Sequence, residues 1–196
     1  MHVYSIRLFN KEKNVQLAKA EDFTPMSWAT RISGSATEAM QFISRTLMEK
    51  SKTQSFICCE ESDYLAWVYN RNDNLTSVLI TSQKYPKRFA MDLMQQSMAT
   101  YESVKWDWQL YEKEINQSEY QPIKKLMLKY HNPKDGIITC QEQLNDTKIK
   151  LYKSVDLLLE RGEKIEDLAQ KSQDLSARSK QFAHKAKKLN RCCVIM

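Results

Sequence analysis

A seam of residues spaced by alternate steps of three and four runs from Ile137 to Leu189. It passes through Cys140, Leu144, Thr147, Leu151, Ser154, Leu158, Arg161, Ile165, Leu168, Ser172, Leu175, Ser179, Phe182 and Ala186. A mean step near 3.5 is the period of a coiled coil, here held for roughly seven heptads. A helix this long with a single apolar stripe is not stable by propensity alone and needs a surface to bury that stripe. The segment is therefore expected to be disordered, or folded back on the rest of the chain, until partner helices arrive.

The seam also restricts the partner. One row (137, 144, 151, 158, 165) is all Ile or Leu and then turns small at Ser172, Ser179 and Ala186. The companion row starts small at Cys140, Thr147 and Ser154 and then turns large at Leu168, Leu175, Phe182 and Leu189. A homodimer would pair small with small in several layers, so unlike helices fill the gaps better. At the crossover stands Arg161. A charge facing the seam is costly unless acceptors from partner helices meet its five donors, and such a group then pins the register. The alternative is a local slip of the heptad frame that lets Arg161 reach outward.

Upstream of the seam the periodicity changes. Residues 3–9 and 15–20 read as a first hairpin across NKEKN. Residues 35–49 carry Ala36, Ala39, Met40, Ile43 and Leu47 at helical spacing, with Ser35 as N-cap. Strands are expected at 55–60, 64–70 and 75–81, the last two joined by RNDN, a cluster suited to a hairpin turn. After Pro86 a helical face is formed by Met91, Met94, Met98 and Tyr101, read as a core stripe. A further short helix falls at 118–130, before Pro133 and Gly136 interrupt the pattern. Two strands, a helix, three strands and two helices make an α+β domain over residues 1–131. A linker follows at 132–136, then the coiled-coil segment at 137–190 and a tail at 191–196.

Composition removes several classes of function. Three glycines, Gly34, Gly136 and Gly162, are too few for a G-x-G-x-x-G turn or a P-loop. His2, His131 and His184 lie in no zinc-ligand spacing, so no metal is expected, although distant ligands can converge in space. No cofactor or catalytic residue is expected either, since neither Cys58 nor Cys59 has a neighbouring base. Five cysteines, two pairs of them adjacent, do not make a secreted disulfide framework. No signal peptide is visible and no apolar run approaches the ~20 residues of a membrane-spanning helix, which points to the cytosol.

The net charge of +6 is confined to the carboxyl end. From Lys171 onward there are seven basic residues (Lys171, Arg178, Lys180, Lys185, Lys187, Lys188, Arg191) against Asp174, which leaves 23 basic and 23 acidic residues upstream. Such an end goes to anionic surfaces. Nucleic acid is disfavoured, because the only aromatic there, Phe182, belongs to the seam and offers no stacking platform.

The chain stops at Cys193-Val194-Ile195-Met196, a C-a-a-X motif whose final Met favours a farnesyl group on Cys193. Cys192 beside it either carries a second lipid or stands idle. One chain gives only marginal attachment, so two lipids, or one plus the basic stretch, are needed to hold a membrane.

Together these residues resemble a known family. LNDTKIKLYKSVDLLLERGEKIEDL around Arg161 resembles the R-SNARE helix of the synaptobrevin type. The leading α+β pattern, with VYNRND followed by YPKR, resembles a longin domain, a profilin-like fold with a five-stranded antiparallel sheet. CCVIM in place of a transmembrane helix resembles the prenylated longin R-SNAREs that serve Golgi, endosomal and vacuolar fusion.

The resemblance implies a fusion protein and no enzyme. Arg161 would sit in the central layer opposite glutamines from three Q-SNARE helices (Qa, Qb and Qc), flanked by the seam residues Ile137, Leu144, Leu151, Leu158, Ile165, Leu168, Leu175, Phe182 and Leu189. A prenyltransferase would modify Cys193, and Cys192 would bear palmitate or a second prenyl group. The chain would cycle between cytoplasm and vesicle membranes through those lipids and its basic tail. The longin domain would fold back on the SNARE helix, with Phe42 at the aromatic position of that closed state, a role compatible with ordinary core packing.

Two departures stand out against the family pattern. Cys58 and Cys59 replace polar or charged residues, and strand alternation is expected to bury one and expose the other. Gln83 and Lys84 precede YPKR where acids are common. A different reading of the whole chain is a prenylated coiled-coil adaptor or tether that recruits partners without driving fusion.

Overall fold

The computed structural model describes residues 1–24, 33–61, 63–105, 107–113, 119–131, 149–159, 163–173, 175–177 and 179–180. The strands are β1 (Val3–Asn10), β2 (Val15–Glu21), β3 (Ser55–Glu60), β4 (Leu65–Asn70), β5 (Leu75–Thr81) and β6 (Ile149–Tyr152). The helices are α1 (Ser33–Lys50), α2 (Lys87–Glu102), α3 (Gln121–Lys129) and α4 (Ile165–Lys171). The six strands form one sheet in the order β2-β1-β5-β4-β3-β6. The fold is α+β, as the hydrophobic patterning requires, and α1 begins at Ser33, slightly upstream of the expected cap.

Local chemistry explains the hairpins. Asn14 and Asn74 adopt φ values of 51° and 68°, the left-handed region that asparagine tolerates better than most residues. The β4–β5 hairpin is also clamped from outside. Arg71 pairs with Asp73 within the turn and with Glu102 Oε2 at 2.7 Å, tying the turn to the end of α2.

Alternation along the strands feeds two cores, one on each face of the sheet. Ile6, Leu8, Phe56, Cys58, Trp67, Leu75 and Leu79 pack on one side with Phe89, Met91, Met94, Met98 and Tyr101 from α2 and Ile123 and Met127 from α3. The methionine stripe is thus a core face. Phe9, Ile57, Cys59, Ala66, Val68, Val78 and Ile80 pack on the other side with Met40, Ile43, Leu47 and Met48 from α1. Tyr85 donates its hydroxyl to the Tyr130 carbonyl at 2.9 Å, and the Tyr130 hydroxyl donates to Asp92, which locks α3 onto α2.

Covering both faces corrects one expectation. Alternation does send Cys58 and Cys59 to opposite faces, but both are buried because neither face is open to water.

The carboxyl-terminal half differs more. A long helix following a five-stranded sheet is the sequence expectation. Among the described residues, that segment instead contributes a sixth strand, a turn of 3-10 helix at Val155–Leu157 and the short α4. The physical reason is the one that makes the free helix unstable. Packing beside β3 and α1 gives Val155, Leu158 and Ile165 an apolar surface and pairs the backbone of residues 149–152.

Candidate functional site: the folded-back segment

β6 adds to the outside of β3 in parallel, with Phe56 opposite Ile149, Ile57 opposite Lys150, Cys58 opposite Leu151 and Cys59 opposite Tyr152. Among the described residues, all the other strand pairs are antiparallel. Beyond β6 the chain turns inward. The Val155 amide donates to Glu61 Oε1 at 2.7 Å, and the Val155 side chain is only 1% exposed within the α1-side core. Full burial of a valine contributes on the order of 1.5–3 kcal/mol, so this one residue is a substantial anchor.

Tyr152, Leu158 and Ile165 pack half-buried against the same core. Asp156 Oδ1 accepts the Ile165 amide at 2.9 Å and so satisfies one of the free donors at the start of α4. Lys50 Nζ at the end of α1 lies 3.2 Å from Glu163 Oε2.

Phe42 sits at the junction. It packs on the α1-side core and also against a small cluster formed by Ala169 of α4 and Leu175. One turn earlier on α1, Glu38 Oε2 accepts hydrogen bonds from the Ser176 hydroxyl at 2.7 Å and the Ser179 hydroxyl at 2.6 Å. These bonds, Ser179 first and Ser176 next, hold the Glu38 carboxyl below its ordinary range. α1 therefore meets the folded-back segment through an apolar contact flanked by a carboxylate and, at its far end, an ammonium group.

Of the seam residues expected from sequence, Leu158 and Ile165 lie against the domain and Leu168 is half-buried. Leu175 is buried with Phe42 close by, and Leu151 is 78% exposed. Ile137, Leu144, Arg161, Phe182, Leu189, Cys192 and Cys193 lie outside the described residues. Sequence reasoning missed Val155, Glu38 and Glu61. Val155 falls off the heptad rows, and the two glutamates carry no local pattern that marks them as acceptors for a remote segment.

Burial pushes both strand thiols up to about 12, so Cys58 and Cys59 are inert core residues. His2, Asp22 and His131 converge where β1 begins, β2 ends and α3 stops. Burial keeps both imidazoles below their ordinary pKa, His131 at about 4. No helix among the described residues is long and apolar enough to cross a membrane.

Residues 136–195 match the Synaptobrevin family. Over its whole length and theirs, the chain is 33% identical to "Synaptobrevin homolog YKT6" of Yarrowia lipolytica. It is 32% identical, again over all of both chains, to the proteins of that name from Debaryomyces hansenii and Saccharomyces cerevisiae. The chain belongs to the YKT6 family of synaptobrevin homologues and is a longin-domain R-SNARE of vesicle trafficking.

Proposed function

We propose that this R-SNARE drives fusion by zippering residues 137–190 with three Q-SNARE helices, and that its longin domain, residues 1–131, holds the same segment out of action beforehand. Residues 132–136 link the two parts. In the assembled bundle Arg161 faces glutamines from Qa, Qb and Qc helices, and the seam from Ile137 to Leu189 is buried against them. A farnesyl group added to Cys193 by a prenyltransferase, with palmitate or a second prenyl group on Cys192, anchors the tail at 191–196. The basic tail adds attraction to anionic lipid, so zippering pulls on the membrane. The chain then cycles between the cytoplasm and the cytosolic faces of Golgi, endosomal and vacuolar membranes.

One observation carries the inhibitory part. Leu158, Ile165 and Leu175, needed for a four-helix bundle, are engaged with α1 and the sheet, and residues 149–152 are in strand rather than helix. A residue cannot serve both arrangements at once, so docking and bundle assembly compete by mass action.

The test is reconstituted fusion between vesicles carrying the lipidated chain and vesicles carrying three Q-SNAREs, read as content mixing. Phe42→Glu should accelerate it by opening the docked segment. Arg161→Gln should impair it, with recovery when one partner glutamine is changed to arginine. A chain that recruits the partner membranes but is indifferent to the arginine–glutamine exchange, with no content mixing, would be the adaptor or tether instead.

A further inference from the structure

We propose that His2, Asp22 and His131 form a binding site for a divalent transition-metal ion of the zinc type, which staples the start of β1 and the end of β2 to the end of α3. Two imidazoles and one carboxylate are an established ligand set for such ions. These three come from separate parts of the chain, and their ligand atoms lie within 4.8 Å of one another.

The carboxylate spacing fits coordination better than direct hydrogen bonding, and an ion bound here would displace the 3.2 Å contact between His2 Nε2 and the Asp22 carbonyl oxygen. Asp22 Oδ2 lies 3.6 Å from His2 Nε2 and 3.7 Å from His131 Nδ1. Both separations exceed the ~2.7–3.2 Å of a good hydrogen bond. They lie close to the ~3.4 Å edge of a tetrahedron whose centre is about 2.1 Å from each ligand, as in zinc sites. The two rings meet edge to face, with centroids 3.9 Å apart. Nδ1 is the His131 nitrogen near Asp22, and the other ring nitrogen, Nε2, is buried with no hydrogen-bond partner among the described residues, so the protein alone does not satisfy this imidazole.

The carboxylate is held in place from its other side. Asp22 Oδ1 accepts the Thr24 amide at 3.0 Å and also the Thr24 hydroxyl, which leaves Oδ2 turned toward the rings. Outer partners of this kind orient metal ligands. Lys124, whose charge reaches His131, pairs with Glu119 at 2.9 Å and so opposes the cation less than a free ammonium would. Three protein ligands leave a position for water, so the ion should exchange with solvent.

The experiment uses the full chain, stripped with a chelator and titrated with Zn2+ by calorimetry and with Co2+ by visible absorption. One ion per chain is expected, with a Co2+ spectrum lacking thiolate charge transfer. His2→Ala, His131→Asn and Asp22→Asn should each weaken binding beyond the ~10–100-fold cost of losing an outer partner, and Thr24→Val should stay within that range. His184→Ala and the double change Cys192→Ser, Cys193→Ser should bind as the unchanged chain does. Saturating Zn2+ should raise Tm of the parent but not of Asp22→Asn. Far-UV circular dichroism identifies any variant that fails to fold, and the milder Thr24→Val then carries the comparison. Absence of saturable binding, equal affinity in the ligand variants, or loss of binding with the cysteines would overturn the site.

Discussion

The amide of Val155 donates to Oε1 of Glu61 at 2.7 Å, joining the first residue of the 3-10 turn, three positions past β6, to the residue just past β3. The bond fixes where the incoming segment stops running along the sheet and turns into the core. Glu61→Ala should remove that acceptor at a cost of about 1 kcal/mol to docking. Hydrogen exchange at the β6 amides is the readout, and protection should fall several-fold while α2 and β5 stay unchanged.

Leu151 and Val155 separate docking from the proposed bundle assembly. Leu151 is on the seam yet 78% exposed when docked, whereas Val155 is off the seam yet buried. Leu151→Lys should leave β6 protection intact and impair assembly with Q-SNARE helices. Val155→Asp places a carboxylate in the core, a cost of several kcal/mol, and should undock the segment while leaving assembly at least as fast. If both substitutions affected both readouts alike, docking and assembly would not be alternatives.

Phe42 links the domain core to Ala169 and Leu175. Phe42→Glu should release the α4 region and increase the membrane-bound and aggregated fraction of the lipidated chain. Unchanged partition between pools would count against a closed form that depends on this contact.

Hydrogen bonds from Ser179 and Ser176 hold the Glu38 carboxyl below its ordinary value of 4.5, so its contribution to docking is complete above that pH. It is lost as pH falls through the lowered value, because the protonated acid is a weaker acceptor. Docking should therefore be insensitive to this group between pH 8 and 5 and weaken on further acidification. Glu38→Ala should lower α4 protection at neutral pH and reduce the additional loss in acid.

Thiols at about 12 are scarcely ionised at neutral pH. At pH 8 roughly one in ten thousand is thiolate, so alkylation of native Cys58 and Cys59 should be negligible and should become fast only on unfolding. Mass spectrometry of the labelled peptides measures this directly.

The domain was legible because its signals are local. RNDN and NKEKN mark turns, and the Met91–Met94–Met98 stripe needs a helix to share a face. β6 was hidden because KIKLY alternates as a strand does while Leu151 also keeps the heptad step, and four residues cannot decide between the two periods. The choice was made by β3, a tertiary neighbour that no local pattern announces. The His2, Asp22 and His131 cluster was unreadable for the same reason, since it exists only once the start of β1 is set beside the end of α3.

β6 also covers what would otherwise be a bare strand. SFICCE is β-prone, lacks proline and carries its only charge at Glu60. When the segment leaves, the outward backbone groups of β3 lose their partners and become a template for any extended chain. On the proposed opening, the movement that frees the seam would create an aggregation hazard, and the lifetime of the opened protein would be limited by how soon its own segment, or a foreign strand, occupies that edge.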